Sequence, residues 1–167
     1  MSQILKVESN IKAVSSHARK VLLHGGVIAF PTDTFYGLGV DPFNQGAVDR
    51  IFKIKGRKKN KPLFLLVSSR EQLETLVKDI TPAHYTLMKG FWPGPLTLLF
   101  EPRSVILDNV SAGLIGIRQP RNSMTRDLIS SFGQAITAPS ANLSGETPPT
   151  SAKQVQQSLG SHLDLII

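Results

Sequence analysis

Six cations, Lys53, Lys55, Arg57, Lys58, Lys59 and Lys61, fall within nine residues with no carboxylate among them. Read alone, such a run is as readily a solvated, solubilising face as an attractor for phosphate or nucleic acid. Gly56, between Lys55 and Arg57, suggests backbone held close to a neighbour. The aromatic residues on which single-stranded bases stack are missing from the run, so a small anion fits it at least as well as RNA. Two other segments end apolar runs in hydroxyls, amides and glycine. Thr32-Asp33-Thr34-Phe35-Tyr36-Gly37-Leu38-Gly39 offers hydroxyls and backbone N–H groups to a polar ligand, or else forms a turn in which Thr and Asp cap their own backbone; Asp33 reads as structural. Around Ser140 and Asn142 small residues let a ligand approach the backbone, the alternative being an N-cap and an Asx-turn. Arg118 follows Ile115-Gly116-Ile117, where its fork suits a carboxylate or phosphate, or an ion pair with Asp127 or another acid.

What these residues share is the lack of a covalent nucleophile or an acid–base pair. A site of Lys, Arg, Thr, Ser and Asn positions substrates and neutralises charge, which is how phosphoryl and nucleotidyl transfer is catalysed. The chain has no cysteine, so thiolate metal sites, disulfides and cysteine nucleophiles are excluded. His17, His24, His84 and His162 lack metal-ligand spacing, and no protein metal site is expected. The phosphate-binding glycine loops G-x-x-x-x-G-K-[ST] and G-x-G-x-x-G and the nucleophile elbow G-x-S-x-G are absent. A net charge of +7 on 167 residues leaves nucleic acid open as a partner. No apolar run nears the roughly 20 residues that span a bilayer, so no membrane is expected and the cytoplasm is the default location.

The elements that must hold these residues alternate. Asn10 caps a helix with Ile11, Val14, Ala18, Val21 and Leu22 on its apolar side, stopped at Gly25-Gly26. Val27 to Phe30 reads as a buried strand and Thr32 to Gly39 as the loop leaving its C-terminal end. Helical spacing runs from Asn44 to Gly56, then a strand over Leu63 to Val67, a helix begun by Ser69 and another from Pro82 to Lys89. Trp92-Pro93-Gly94-Pro95 shapes a turn and packs an aromatic. Leu96 to Phe100 and Leu114 to Ile117 read as strands, Met124 to Phe132 as a helix, Ala135 to Thr137 as a strand and Ala152 to Leu159 as a helix. The fold class expected is α/β: one domain over 1–167, a twisted mixed or mostly parallel sheet with flanking helices and a basic concave groove.

Several of these segments, in order, resemble the YrdC-like threonylcarbamoyl-AMP synthases. Pro31-Thr32-Asp33-Thr34-Phe35-Tyr36-Gly37-Leu38 is similar to that family's P-T-[DE]-T-x-Y-G-L, and Lys55-Gly56-Arg57 to its K-x-R. Trp92-Pro93-Gly94-Pro95-Leu96-Thr97 is similar to its W-P-G-P-[LV]-T, Ile117-Arg118-Gln119-Pro120 to its V-R-x-P, and Ser140-Ala141-Asn142-Leu143-Ser144-Gly145 to its S-A-N-x-S-G. The resemblance implies that L-threonine, bicarbonate and ATP are joined into threonylcarbamoyl-adenylate with release of pyrophosphate, Mg2+ arriving with ATP. It further implies hand-over to a tRNA threonylcarbamoyl transferase complex that modifies adenosine 37. On it, Lys55, Arg57, Ser140 and Asn142 match the positions at the ATP and bicarbonate end, and Thr32 and Arg118 the threonine-binding positions.

Two departures accompany the match. Lys58 stands where the family usually has proline after K-x-R, which makes the rim more basic. Family members also continue beyond the equivalent of Ile167 with a glycine-rich turn and a Ser-Thr segment, so the site is expected to be open on one side and threonine binding weakened relative to a longer form. Two alternatives remain at this stage. One is a non-catalytic module that binds tRNA or double-stranded RNA in the same concavity. The other is a domain like that of hydrogenase-maturation carbamoyltransferases, with carbamoyl phosphate as donor.

Overall fold

The computed structural model describes residues 3–4, 10–58, 61–103, 110–111 and 113–167. Lys59, counted above in the basic run, lies outside them. The first strand, β1 (Gln3–Ile4), precedes α1 (Ile11–Leu23), which begins where the Asn10 side chain accepts from the Ala13 N–H at 3.2 Å. Next come β2 (Ile28–Pro31), β3 (Tyr36–Gly39), α2 (Gln45–Lys55), β4 (Leu65–Leu66), α3 (Arg70–Leu76) and α4 (Pro82–Phe91). The chain continues through β5 (Leu98–Phe100), β6 (Ile115–Arg118), α5 (Ser123–Phe132), β7 (Ile136–Thr137), α6 (Ala152–Leu159) and β8 (Leu165–Ile166).

The mixed α/β architecture expected from the sequence is present, with its strands in two four-stranded sheets ordered β1-β8-β2-β3 and β5-β6-β4-β7. Parallel pairs (β1/β8, β2/β8, β4/β6) and antiparallel pairs (β2/β3, β5/β6, β4/β7) occur in both. The sheets are stitched together at β3. The Leu38 N–H donates to Pro139 O and the Ala141 N–H to Tyr36 O, both at 2.8 Å, so the chain leaving β7 runs antiparallel to β3. The Thr137 hydroxyl completes the seam, donating to Leu38 O at 3.0 Å and accepting from the Val40 N–H at 3.1 Å. A buried threonine is stable here because its hydroxyl is satisfied twice.

Two segments differ from expectation. Thr32–Gly39 is not all loop: a turn over Thr32–Phe35 leads into β3, paired with β2 from Pro31↔Tyr36 to Ile28↔Gly39. The Tyr-Gly-Leu-Gly run hides this strand because its glycines are there for contact. A Cβ at Gly39 would lie 2.9 Å from Phe30 Cε1, too close for any side chain. Leu163 to Ile167, too short a segment to show a period in the sequence, contains β8, which lies between β1 and β2 with Leu165 and Ile166 fully buried. Each such side chain stabilises the fold by about 1.5–3 kcal/mol relative to leaving it exposed.

Helix packing fixes the sheets' flanks. The stripe Val14, Ala18 and Leu22 of α1 meets Met124, Leu128, Ile129 and Phe132 of α5 over Ile28, Phe30, Leu66 and Leu165. A larger cluster from α2, α3, α6 and the other sheet faces forms the second core. Trp92 ends α4, donates from Nε1 to Leu96 O at 2.7 Å and packs on Phe100, as its motif suggested; the Gly94 N–H then holds Gln119 O at 2.9 Å, beside Arg118.

Candidate active site

The turn between β2 and β3, the end of β6 and the segment after β7 converge on a cavity of about 260 Å3. Thr32, Arg57, Arg118 and Ser140 line it, so four of the six residues singled out from sequence meet in one place. Arg118 enters from the last position of β6, its backbone fixed by the Val67 N–H on its carbonyl at 3.1 Å. Its guanidinium is half-buried and, among the described residues, takes neither a hydrogen bond nor an ion pair; the pairing with Asp127 is not formed. Burial pushes the Arg118 guanidinium down and the nearby Asp33 carboxylate pulls the other way. An unpartnered, partly desolvated guanidinium facing a cavity is a carboxylate or phosphate receptor.

Arg57 reaches the cavity through a turn that only glycine makes cheaply. Helix α2 stops at Gly56, which is left-handed (φ 57°, ψ 30°), and the Arg57 N–H closes the turn on Phe52 O at 3.0 Å. Among the described residues nothing lies within 4 Å of where a Gly56 Cβ would be, so the glycine serves backbone conformation and not the close approach suggested by sequence. The Arg57 guanidinium donates to Pro62 O at 3.0 Å and Lys61 O at 3.3 Å, which aims it while leaving other donors for a ligand.

Lys55 and Asn142 are not in the wall. Lys55 is 2% exposed, and its ammonium donates to the backbone carbonyls of Ser140 and Asn142, the latter at 2.7 Å. The Ser144 N–H returns to Lys55 O at 2.9 Å. Burial, followed by repulsion from Arg57, lowers the Lys55 pKa from 10.5 to about 8. Asn142 closes the same segment: its amide donates to Leu143 O at 2.9 Å and Glu146 O at 2.7 Å, close to the loop-capping alternative. Its buried Oδ1 has no hydrogen-bond partner among the described residues. These two residues therefore hold the Ser140–Ser144 strap, and through it the Ser140 side chain, against the end of α2.

The Thr32–Phe35 turn is braced from both ends. The Thr32 hydroxyl donates to Phe35 O at 2.7 Å and accepts from the Thr34 N–H at 3.3 Å, which is the capped turn, while Thr32 remains in the cavity wall. The Asp33 carboxylate accepts from the Arg121 and Asn122 N–H groups, each at 2.8 Å, pinning the turn to the start of α5 and bearing out its structural reading. Phe35 and Phe64 also line the cavity, 42% and 49% exposed. Neither was among the sequence candidates, since an apolar residue next to a strand normally signals core. For Phe64 the available signal was its place between the inward Leu63 and Leu65.

The two joined sheets of this α/β domain hold two guanidiniums, hydroxyls and exposed aromatic rings around one cavity, an arrangement suited to small anionic ligands. The profile of the Sua5/YciO/YrdC family, described as "Telomere recombination", matches residues 20–167. A threonylcarbamoyl-AMP synthase of Pyrococcus abyssi is 41% identical over 145 residues, covering 86% of this chain and 43% of that protein. One from Nitrosococcus oceani is 32% identical over 152 residues, covering 90% of this chain and 82% of its own length. The crystal structure of P. abyssi Sua5 complexed with L-threonine superposes with a TM-score of 0.90 at 36% identity, covering all of this chain and 49% of that one. The chain belongs to the Sua5/YciO/YrdC family, and it spans less than half the length of the P. abyssi relative.

Proposed function

We propose that this chain forms L-threonylcarbamoyl-AMP and pyrophosphate from L-threonine, bicarbonate and ATP. The observation that carries this reading is the unpartnered Arg118 guanidinium in the same cavity as Thr32, Arg57 and Ser140. The threonine amine attacks carbon dioxide or bicarbonate to give a carbamate, with loss of water when bicarbonate is the source. A carbamate oxygen then attacks the α-phosphate of ATP and pyrophosphate leaves. Arg118 and Thr32 bind threonine, with Arg118 clamping its carboxylate. Arg57 balances the triphosphate and the carbamate, and Ser140 faces them from the strap. Lys55 and Asn142 belong to the ATP and bicarbonate end by fixing that strap and, for Lys55, by adding positive potential behind it. Holding amine, carbamate and α-phosphate together supplies the effective concentration on which the rate depends. The two guanidiniums support the basic character expected of the concavity.

Mg2+ enters with ATP as part of the substrate; no group of three or more His, Asp or Glu that could hold a metal occurs among the described residues. The product passes to a tRNA threonylcarbamoyl transferase complex for modification of adenosine 37, in the cytoplasm. No helix among the described residues is long and apolar enough to cross a membrane. The relatives' names support the synthase and not the RNA-binding module. The test is direct: incubation with ATP, bicarbonate and threonine should yield an adenylate whose mass contains all three parts, and AMP without threonylcarbamoyl-adenylate would refute the reading.

A further inference from the structure

The cavity's most exposed ring stands on a site made for it. Leu63 and Leu65 point into the core, 1% and 0% exposed, so Phe64 between them faces the opposite side of the sheet, into the cavity wall. There the ring edge lies over Gly116 of β6: a Cβ on Gly116 would meet Phe64 Cδ1 at 2.5 Å and Cε1 at 3.0 Å. The Phe64 carbonyl accepts from the Ala138 N–H at 2.9 Å, which fixes the backbone beneath the ring. Phe64 is thus seated, yet 49% exposed, in a cavity that also contains Arg57. A volume of about 260 Å3 falls below the roughly 300–1,000 Å3 typical of ligand pockets, so a nucleotide bound here must extend over the rim.

We infer that Phe64 is a stacking shelf for the purine ring of the nucleotide, seated by Gly116 and placed so that the phosphates run toward Arg57. This rests on the proposed use of ATP. The apolar ring contributes no hydrogen bond and so does not read the base edge; it supplies flat contact area to any purine nucleotide.

Titration calorimetry of ATP, inorganic tripolyphosphate and threonine against three variants separates the contributions. Phe64→Ala should weaken ATP about ten-fold, the scale of base–aromatic stacking, and leave tripolyphosphate and threonine unchanged. Phe64→Tyr should keep ATP affinity near that of the unmodified chain. Gly116→Ala, which displaces the ring without removing it, should also weaken ATP selectively, with circular dichroism verifying the fold of each variant. Unchanged ATP affinity in Phe64→Ala, or equal losses for ATP and tripolyphosphate, overturns the stacking role while leaving the synthase reading intact. Failure of the unmodified chain to bind ATP overturns both.

Discussion

The ammonium of Lys55, at the last position of α2, donates to the backbone carbonyl of Asn142 at 2.7 Å, across 87 residues of sequence. With its second bond to Ser140 O, this side chain fastens the strap carrying Ser140 to the helix that delivers Arg57. Among the described residues no carboxylate takes part, so carbonyl dipoles hold the charge and it remains felt in the site.

Lys55→Met should lower kcat far more than it raises the KM for threonine, since the strap loosens while the Arg118 side of the cavity stays in place. Single-turnover rates measured beside threonine affinity separate the two. Equal losses in both would place Lys55 on the amino acid instead.

The same lysine sets a pH dependence. Folded, it gives up its proton near pH 8; unfolded, it keeps it until 10.5, so between these values the unfolded chain binds more protons. The contribution of Lys55 to stability therefore rises with pH from about 8 to 10.5 and is lost as pH falls through 8. Urea titrations of the unmodified chain and Lys55→Met across this window should differ in slope with that sign.

Arg118→Ala should cost on the order of 100-fold in threonine affinity, the scale of a charge-assisted, bidentate contact, and leave the melting temperature nearly unchanged because, among the described residues, the guanidinium has no hydrogen bond or ion pair to lose. Arg118→Lys should restore only part of the affinity, since the fork is lost. Calorimetry with threonine decides it, and a large drop in melting temperature would indicate a structural role instead.

Asp33→Ala removes the acceptor of two N–H groups at the start of α5. Stability should fall by about 1–2 kcal/mol, as for loss of a helix cap, and threonine affinity should drop modestly as the Thr32 turn loosens. Urea unfolding measures the first effect, and unchanged stability would mean that water replaces the carboxylate at no cost.

The helices and most strands were legible in the sequence because caps and apolar spacing are local signals: Asn10, Asn44, Ser69 and Ser151 each cap the helix that follows them. Strand β3 was not, because Gly37 and Gly39 replace the apolar residues that would announce it. Nor was β8 assigned, whose burial depends on neighbours more than 130 residues away. The four candidates that line one cavity, Thr32, Arg57, Arg118 and Ser140, stand out in the sequence because charge and hydroxyls contrast with apolar runs. What sequence could not tell was that Lys55 and Asn142 turn away from the cavity into backbone carbonyls, which is a matter of side-chain direction. Phe64 was missed because an exposed phenylalanine and a core one look the same in sequence.

Threonine-dependent release of pyrophosphate from ATP and bicarbonate tests the central claim most directly. Release should require all three substrates and fall to background in the Arg57→Ala, Arg118→Ala double variant. Release at the same rate without threonine, or none from a folded chain that binds ATP and threonine, would contradict it.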